Sequence, residues 1–550
     1  MHVDELIEKP KTSRAGGWSS FASALSKYPF LWVLLVVSCI SMLVVSSTPV
    51  PDSAYGCDPF GYLRSAQLFH SNGFFGGFDT RVENEEAQFL IRTAKSVGLA
   101  PDDFSQMIAP HSFHYCPASD HVIHQYPPGP GLLMSVFHPG RKTQWMIILV
   151  MAMVVLPFLL IAAKQPLRPV DTFAFFAIIL AAEQLMLDTL GSHSVPLTIG
   201  LIPLAALAAL RTMSGSSAVR WTSGTLLGLL SGLLLITRIP NIFVIAGLIC
   251  FVLLRVCLEE RSKLRSRLGP VAIALAVFLL CGVVPLLAFD RINAGHFFAT
   301  TYASIDASAP QLTWSLIKQN LNYYFRESFA WRIAFASLLV VVCAIVAAVT
   351  NRSRTRRRVP IAAAFAALLT FVVNLAYFCT HGIRIPYYMA PGCFFALVLG
   401  VLAFAERPYR PTWHDPKHFW RVAVALFLLA ACVEFELRHF HPGVIKPVAP
   451  PEVTDPRSIV WSDMTSGTLL YYNGKYAAKL AFGSSCAQDL MIQAISDAGR
   501  AQYFIADSPA VQSIVNRLSS EADLQVIGTY QSFGSAPIYK LVSLKKKLIC

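Results

Sequence analysis

The stretch 146-MIILVMAMVVLPFLLIAA-163 carries no charged residue. As a helix it would extend about 27 Å, close to the ~30 Å of a bilayer's hydrocarbon core. Three further stretches read the same way: 31-LWVLLVVSCISMLVV-45, 271-VAIALAVFLLCGVVPLLAF-289 and 338-LLVVVCAIVAAV-349. Hydrophobic residues make up 55% of the 550 residues and charged residues 14%, against about a quarter charged in soluble proteins. An ordinary soluble enzyme, a collagen-like fibre and a disordered chain are excluded. The sequence predicts a polytopic α-helical membrane protein.

Working outward, hydrophobic windows and breaker residues give about eleven spans, at 29–47, 143–163, 172–187, 195–210, 222–237, 241–256, 270–289, 332–350, 361–379, 387–405 and 421–436. The basic connections 164-KQPLR-168, 211-RTMSGSSAVR-220, 255-RVCLEERSKLRSR-267, 351-NRSRTRRRV-359 and 406-ERPYRPTWHDPKHFWR-421 fall on the same side as Lys9, Lys11, Arg14 and Lys27. Intervening turns such as 188-DTLGSHSVP-196 lack Lys and Arg. Basic residues stay cytoplasmic, so the N-terminal segment 1–28 is expected inside and the C-terminus outside. The net charge of +13 thus speaks for a lipid bilayer as partner and against nucleic acid. The first span reads as a retained anchor. A bacterial inner membrane with a periplasmic C-terminus is the expected location.

This divides the chain into the segment 1–28, a membrane domain 29–436 with a long outward loop 48–142, and an outward tail 437–550. The tail is too polar to span. Apolar 458-SIVW-461, amphipathic 487-AQDLMIQAISDAG-499, apolar 502-QYFIAD-507, amphipathic 509-PAVQSIVNRLSSEA-522, then 524-LQVIGTY-530 and 537-PIYKLV-542 predict a small α/β domain.

In the outward loop, 58-DPFGYLRSAQLFHSNG-73 has helical periodicity and predicts an amphipathic helix on the outer membrane surface, with Asp58 at its start. An acid there is favoured by the free N–H groups and the dipole, so capping alone would account for it. Asp52, six residues nearer the span, is a second acid of this kind. Further on, 125-QYPPGPGLLMSVF-137 reads either as a short re-entrant or surface helix or as an exit turn.

Asp58, Tyr62 and Ala66 in a D-x-x-x-Y-x-x-x-A arrangement, the turn 126-YPPG-129, and the late 381-HGIRIPYYMAPG-392 occur in this order on the outward side. With the outward C-terminal domain, the pattern resembles the GT-C superfamily of membrane glycosyltransferases, and within it the bacterial branch of aminoarabinose, galacturonic acid and protein O-mannosyl transferases. The resemblance implies an inverting transfer from a polyprenyl-phosphate-linked sugar donor to an envelope acceptor (glycan, lipid or protein), with Asp58 as general base. A positioned carboxylate suits that work, because the attacking hydroxyl must lose its proton. The leaving phosphate needs positive charge. Arg384 resembles the family arginine for this purpose, while Arg238 in 235-LITRIPN-241 and His193 are further candidates. Tyr387 and Tyr388, with Asp52, Tyr62, Tyr126 and Asp188, are candidates for sugar or acceptor contact. Snorkelling is the ordinary alternative for the arginines, and belt tyrosines for the aromatics.

The chain also departs from the family pattern. Pro59 follows Asp58 where an acid is frequent, no Lys precedes Pro127-Pro128, and the acid of the third-to-fourth span turn is either Asp188 or replaced by His193. His111, His114, His121 and His124 form two H-x-x-H pairs, with Cys116 between them, that could chelate zinc but match no known metal motif; no cofactor is assigned and a divalent metal stays open. The acidic run Glu83, Glu85 and Glu86 reads as a solvated face. Cys57–Cys116 and Cys486–Cys550 are possible disulfides. The rival class is a transporter or flippase, which ordinarily shows paired half-repeats that this sequence lacks.

Overall fold

The computed structural model describes residues 52–162, 169–189, 192–259, 261–302, 310–327, 354–405, 449–531 and 534–548, with a few isolated helical positions elsewhere. The expected spans 29–47, 332–350 and 421–436 and the N-terminal segment 1–28 lie outside them, apart from those isolated positions.

The loop 48–142 is structured throughout its described length. Helix α1 (Cys57–Gly76) is followed by α2 (Glu85–Ser96), which starts where the Asn84 side chain accepts the Ala87 N–H. Strands β1 (Phe113–Cys116) and β2 (His121–His124) then form an antiparallel hairpin. The YPPG turn delivers a short helix, α3 (Gly129–Ser135), which packs on α1. A Cβ on Gly131 would collide with Ser65 of α1, so a side chain there would push the two helices apart. Helix α1 is more enclosed than an amphipathic surface helix, with Phe60, Tyr62, Leu63, Ser65, Ala66 and Phe69 all buried.

The apolar helices follow: α4 (Lys142–Ala162), α5 (Pro169–Asp188), α6 (Ser194–Thr212), α7 (Ser217–Thr237), α8 (Ile242–Cys257), α9 (Arg261–Phe278), α10 (Val284–Ala294), α11 (Arg354–Cys379) and α12 (Ala390–Ala405). A π-helical turn at Leu279–Val283 joins α9 to α10 in one continuous apolar helix, Ser266–Ala294. Six described helices are long and apolar enough to cross a membrane, and Ala174–Met186 and Ala390–Leu402 are shorter apolar helices. They lie on the windows expected for them. Helix α6 packs against α4, α7 and α12 near the middle of the bundle, which explains why nearly all of its residues are buried.

The C-terminal stretch forms a five-stranded mixed sheet in the order β4-β3-β5-β7-β6. In chain order its elements are β3 (Ile459–Trp461), α13 (Ser466–Asn473), β4 (Ala477–Ala478), α14 (Ser485–Asp497), β5 (Gln502–Ile505), α15 (Pro509–Leu518), β6 (Ala522–Gln531) and β7 (Ser535–Leu544). Ser484 and Ser508 cap α14 and α15 by accepting the Ala487 and Val511 N–H groups. This layer docks onto the loop 48–142. The Tyr476 hydroxyl donates to Ile108 O (2.7 Å), the Tyr472 hydroxyl to Asp52 O (2.7 Å), and Gly467 lies against Phe60. The acidic run is correspondingly not a purely solvated face: Glu86 pairs with buried Lys475 (3.2 Å) and Glu85 with Arg500 (2.6 Å).

Candidate active site

Asp58 lies in the first turn of α1, and its side chain makes no capping hydrogen bond. Its carboxylate instead faces two phenols. The Tyr126 hydroxyl donates to Oδ1, and the Tyr387 hydroxyl donates to Oδ2 at 2.9 Å. Tyr126 arrives from the hairpin. β2 ends at His124, and the hairpin packs so closely on α1 that a Cβ on Gly61 would sit 2.7 Å from His124 Nε2, Ser112 Oγ and Tyr126 Cδ2. Tyr387 belongs to the 3-10 turn Pro386–Tyr388 that opens α12.

Around this carboxylate the aromatic groups form a wall. Tyr62, one turn along α1, stacks on Tyr126 with ring centroids 4.7 Å apart and meets the His193 ring edge-on at 5.9 Å. Burial and the nearby Asp58 charge push both tyrosines well above the usual phenol range, so they act as hydrogen-bond donors at neutral pH. Tyr302, in the stretch after α10, comes within 6.2 Å of the Tyr126 ring. No local pattern marked Tyr302, and only its aromatic type in a connecting segment could have signalled it.

Arg238 occupies the extended residue between α7 and the 3-10 turn Ile239–Asn241. It is only 8% exposed, with its guanidinium 5.2 Å from the Tyr388 ring, 5.8 Å from Tyr387 and 6.0 Å from Phe378. This is a cation enclosed by aromatic rings and not one reaching for water. Arg384 is placed differently: it is exposed and donates to Gln319 Oε1 at 2.7 Å. The structure therefore gathers Asp58, Tyr62, Tyr126, Arg238, Tyr387 and Tyr388, with His193 at the edge.

Asp52 stands apart from Asp58. Its Oδ1 accepts from Thr143 N (2.9 Å) and Thr143 Oγ1 (3.1 Å), and Thr143 Oγ1 contacts His193 Nε2 at 3.0 Å. Asp52 and His193 thus belong to one buried chain that pins the start of α4 to the turn before α6. Asp188 ends α5, and its side chain lies outside the described residues.

The four loop histidines diverge. His111 Nε2 is 3.1 Å from Asp463 Oδ1, and His121 Nδ1 is 2.6 Å from Ser119 O. His114 and His124 are buried, which pulls both down to about 3. Among the described residues no three His, Cys, Asp or Glu side chains converge as a metal set. The Cys57–Cys116 disulfide is not formed. Cys57 Sγ lies 3.1 Å from the Tyr126 hydroxyl, whereas Cys116 packs with Ile123 and Ala294, and both are free thiols. Cys486 is disulfide-bonded, and Cys550 lies outside the described residues.

No protein-family model matches the chain, and no curated protein sequence matches it. Among solved structures, ArnT from Cupriavidus metallidurans in the apo state is similar over 94% of this chain and 98% of its own, with a TM-score of 0.53 at 12% identity. The same protein bound to undecaprenyl phosphate aligns over 93% and 97%, with a TM-score of 0.49 at 11% identity. Near end-to-end correspondence at such low identity is a likeness of architecture: the chain has an ArnT-like fold.

Proposed function

We propose that this protein is an inverting glycosyltransferase that moves a sugar from a polyprenyl-phosphate carrier to an acceptor in the cell envelope. The observation that carries the reading is the Asp58 carboxylate, oriented by the Tyr126 and Tyr387 hydroxyls beside the aromatic-enclosed Arg238, in a chain of this fold. The acceptor hydroxyl oxygen attacks the anomeric carbon and its proton passes to Asp58. The bond from that carbon to the phosphate oxygen breaks on the opposite side, which inverts the centre and releases polyprenyl phosphate. Arg238 receives the growing phosphate charge; its burial favours it over the exposed Arg384, because a guanidinium acts more strongly where water is excluded. Tyr62, Tyr387 and Tyr388 supply ring faces and hydroxyls for the sugar.

Parity of the basic connections supports eleven spans in a bacterial inner membrane, with the N-terminus cytoplasmic and the site and C-terminal layer periplasmic. Nucleotide sugars do not reach that compartment, which supports a donor delivered from the bilayer.

The test is transfer of labelled sugar from polyprenyl phosphate to envelope extract in proteoliposomes. Asp58→Asn is expected to lower the rate by about 10²- to 10⁴-fold, the usual worth of a general base. Undiminished transfer would end the proposal for Asp58, and counterflow of carrier lipid without product would point to a flippase instead.

A further inference from the structure

Helix α1 changes character at its last turn. Most of its apolar side chains up to Phe69 are buried. At Gly73 the backbone leaves the helical region for φ 73°, ψ −178°, a conformation essentially reserved for glycine. The next two residues, Phe74 and Phe75, are turned away from the protein. The turn is closed behind them, where Gly77 N–H donates to Gly73 O (2.9 Å) and Phe78 N–H to Phe75 O (3.3 Å). Phe74 is more than half exposed and Phe75 is 86% exposed, although their rings touch, with centroids 5.1 Å apart. Adjacent aromatic rings held bare by a closed turn mark a binding surface and not a face made for water.

The place of this turn in the fold says what covers it. Phe74 meets Phe78 with ring centroids 5.6 Å apart, and Phe78 meets Phe289 at 6.4 Å. Phe289 belongs to the continuous apolar helix Ser266–Ala294, the barest of the described spans, with 11% of its apolar stretch buried. Within it residues 268–289 carry no charge, and Arg267 and Asp290 bracket them. That stretch is roughly 33 Å of helix, close to the ~30 Å of hydrocarbon, so Phe289 stands at the hydrocarbon edge. Just beyond come Arg291, whose guanidinium lies 5.9 Å from the Phe297 ring, and Phe298, which is 89% exposed. The bare rings thus continue the lipid-facing surface of this span at the level of the headgroups.

We propose that the turn 73–77, together with Phe297 and Phe298, is a lipid-seated foot: the rings of Phe74, Phe75 and Phe298 insert into the bilayer leaflet next to the loop 48–142, at the boundary between acyl chains and headgroups. Aromatic side chains are favoured at that boundary, and a neighbouring arginine suits the lipid phosphates. The foot fixes to the bilayer one end of the helix that carries Asp58 in its first turn. It does not depend on the role of that carboxylate.

The test reads depth directly and needs no activity. In the full chain in phosphatidylcholine nanodiscs, Phe75, Phe298 and Leu280 are replaced one at a time by trifluoromethyl-phenylalanine. Leu280, exposed near the middle of the span, is the reference for a ring in hydrocarbon. Fluorine relaxation is measured with a nitroxide on the lipid near the headgroup, with one at the acyl-chain end, and with a water-soluble gadolinium chelate. The labels at Phe75 and Phe298 are expected to relax severalfold more with the headgroup-end nitroxide than with the chelate, and the label at Leu280 to favour the chain-end nitroxide. Stronger relaxation by the chelate at either phenylalanine would place that ring in water and overturn the proposal. Protection from all three agents would mean that a second copy or another protein covers the patch, and would overturn it equally.

Discussion

The Tyr387 hydroxyl donates to Asp58 Oδ2 at 2.9 Å, joining residues 329 positions apart. One contact thereby ties the first turn of α1 to the turn that opens α12. Tyr387→Phe removes that donor and keeps the ring. Hydrogen bonds to charged groups are worth about 1.5–3 kcal/mol, so transfer should fall about tenfold or more and the thermal midpoint should fall with it. Combined with Tyr126→Phe, the losses should not multiply, because both phenols serve one carboxylate. Rates from the two single variants and the double variant provide the check.

Arg238 offers a sharper distinction. A lysine keeps the charge but loses the planar group that stacks on Tyr388 and Tyr387. Arg238→Lys and Arg238→Met should both raise KM for the polyprenyl-phosphate donor, by about ten- to hundredfold for Met, while Arg384→Met should change it far less. Steady-state kinetics at varied donor concentration decide between the arginines.

Gly61 is a steric prediction. An alanine there places a carbon 2.7 Å from atoms of His124, Ser112 and Tyr126. Overpacking of this kind costs about 1–3 kcal/mol. The hairpin must back away from α1 and carry Tyr126 off Asp58, so Gly61→Ala should lower both the melting temperature and transfer. Normal transfer with a normal midpoint would show that the hairpin tolerates the shift.

The His111–Asp463 pair sets a pH window for the seam between the C-terminal layer and the loop 48–142. Burial pulls His111 down, but Asp463 and Cys57 together outweigh it and the imidazole ends above its ordinary 6.5. Burial likewise pushes Asp463 up, and the His111 contact reverses this to below the ordinary 3.8. A raised histidine contributes stability fully below 6.5 and loses it as pH climbs through its folded value. A depressed aspartate contributes above 3.8 and loses it as pH falls through its folded value. The seam should therefore be tightest between those limits and loosen on the alkaline side. Hydrogen exchange of α13 followed against pH should show this in the wild type and not in His111→Gln.

Much of the fold was legible in the sequence because bilayer solvation depends on composition alone. The apolar windows at 143–163, 195–210, 222–237, 241–256, 270–289 and 361–379 all coincide with long helices. The C-terminal strands and helices were legible from alternating period, apart from α13 and the two-residue β4, which are too short to set one. Within the site, Asp58, Tyr62, Tyr126 and Tyr387 stood out by motif order. Arg384 had the better motif and Arg238 the enclosed position, a difference that depends on how α7 and α12 meet. Tyr302 carried no local signal, since only the docking of distant elements brings it against Tyr126.

The buried chain from Asp52 through Thr143 to His193 has a consequence for proton placement. Thr143 has a single hydroxyl hydrogen, and the Asp52 carboxylate can only accept it. The Thr143 oxygen must then receive Nε2–H from His193, which fixes the tautomer and leaves a lone pair on Nδ1. That nitrogen is buried with no partner among the described residues, and burial keeps the ring uncharged down to about 4. Whatever meets this imidazole must bring a hydrogen to share, as a sugar alcohol, an amine or water does, and the bare oxygens of a phosphate have none.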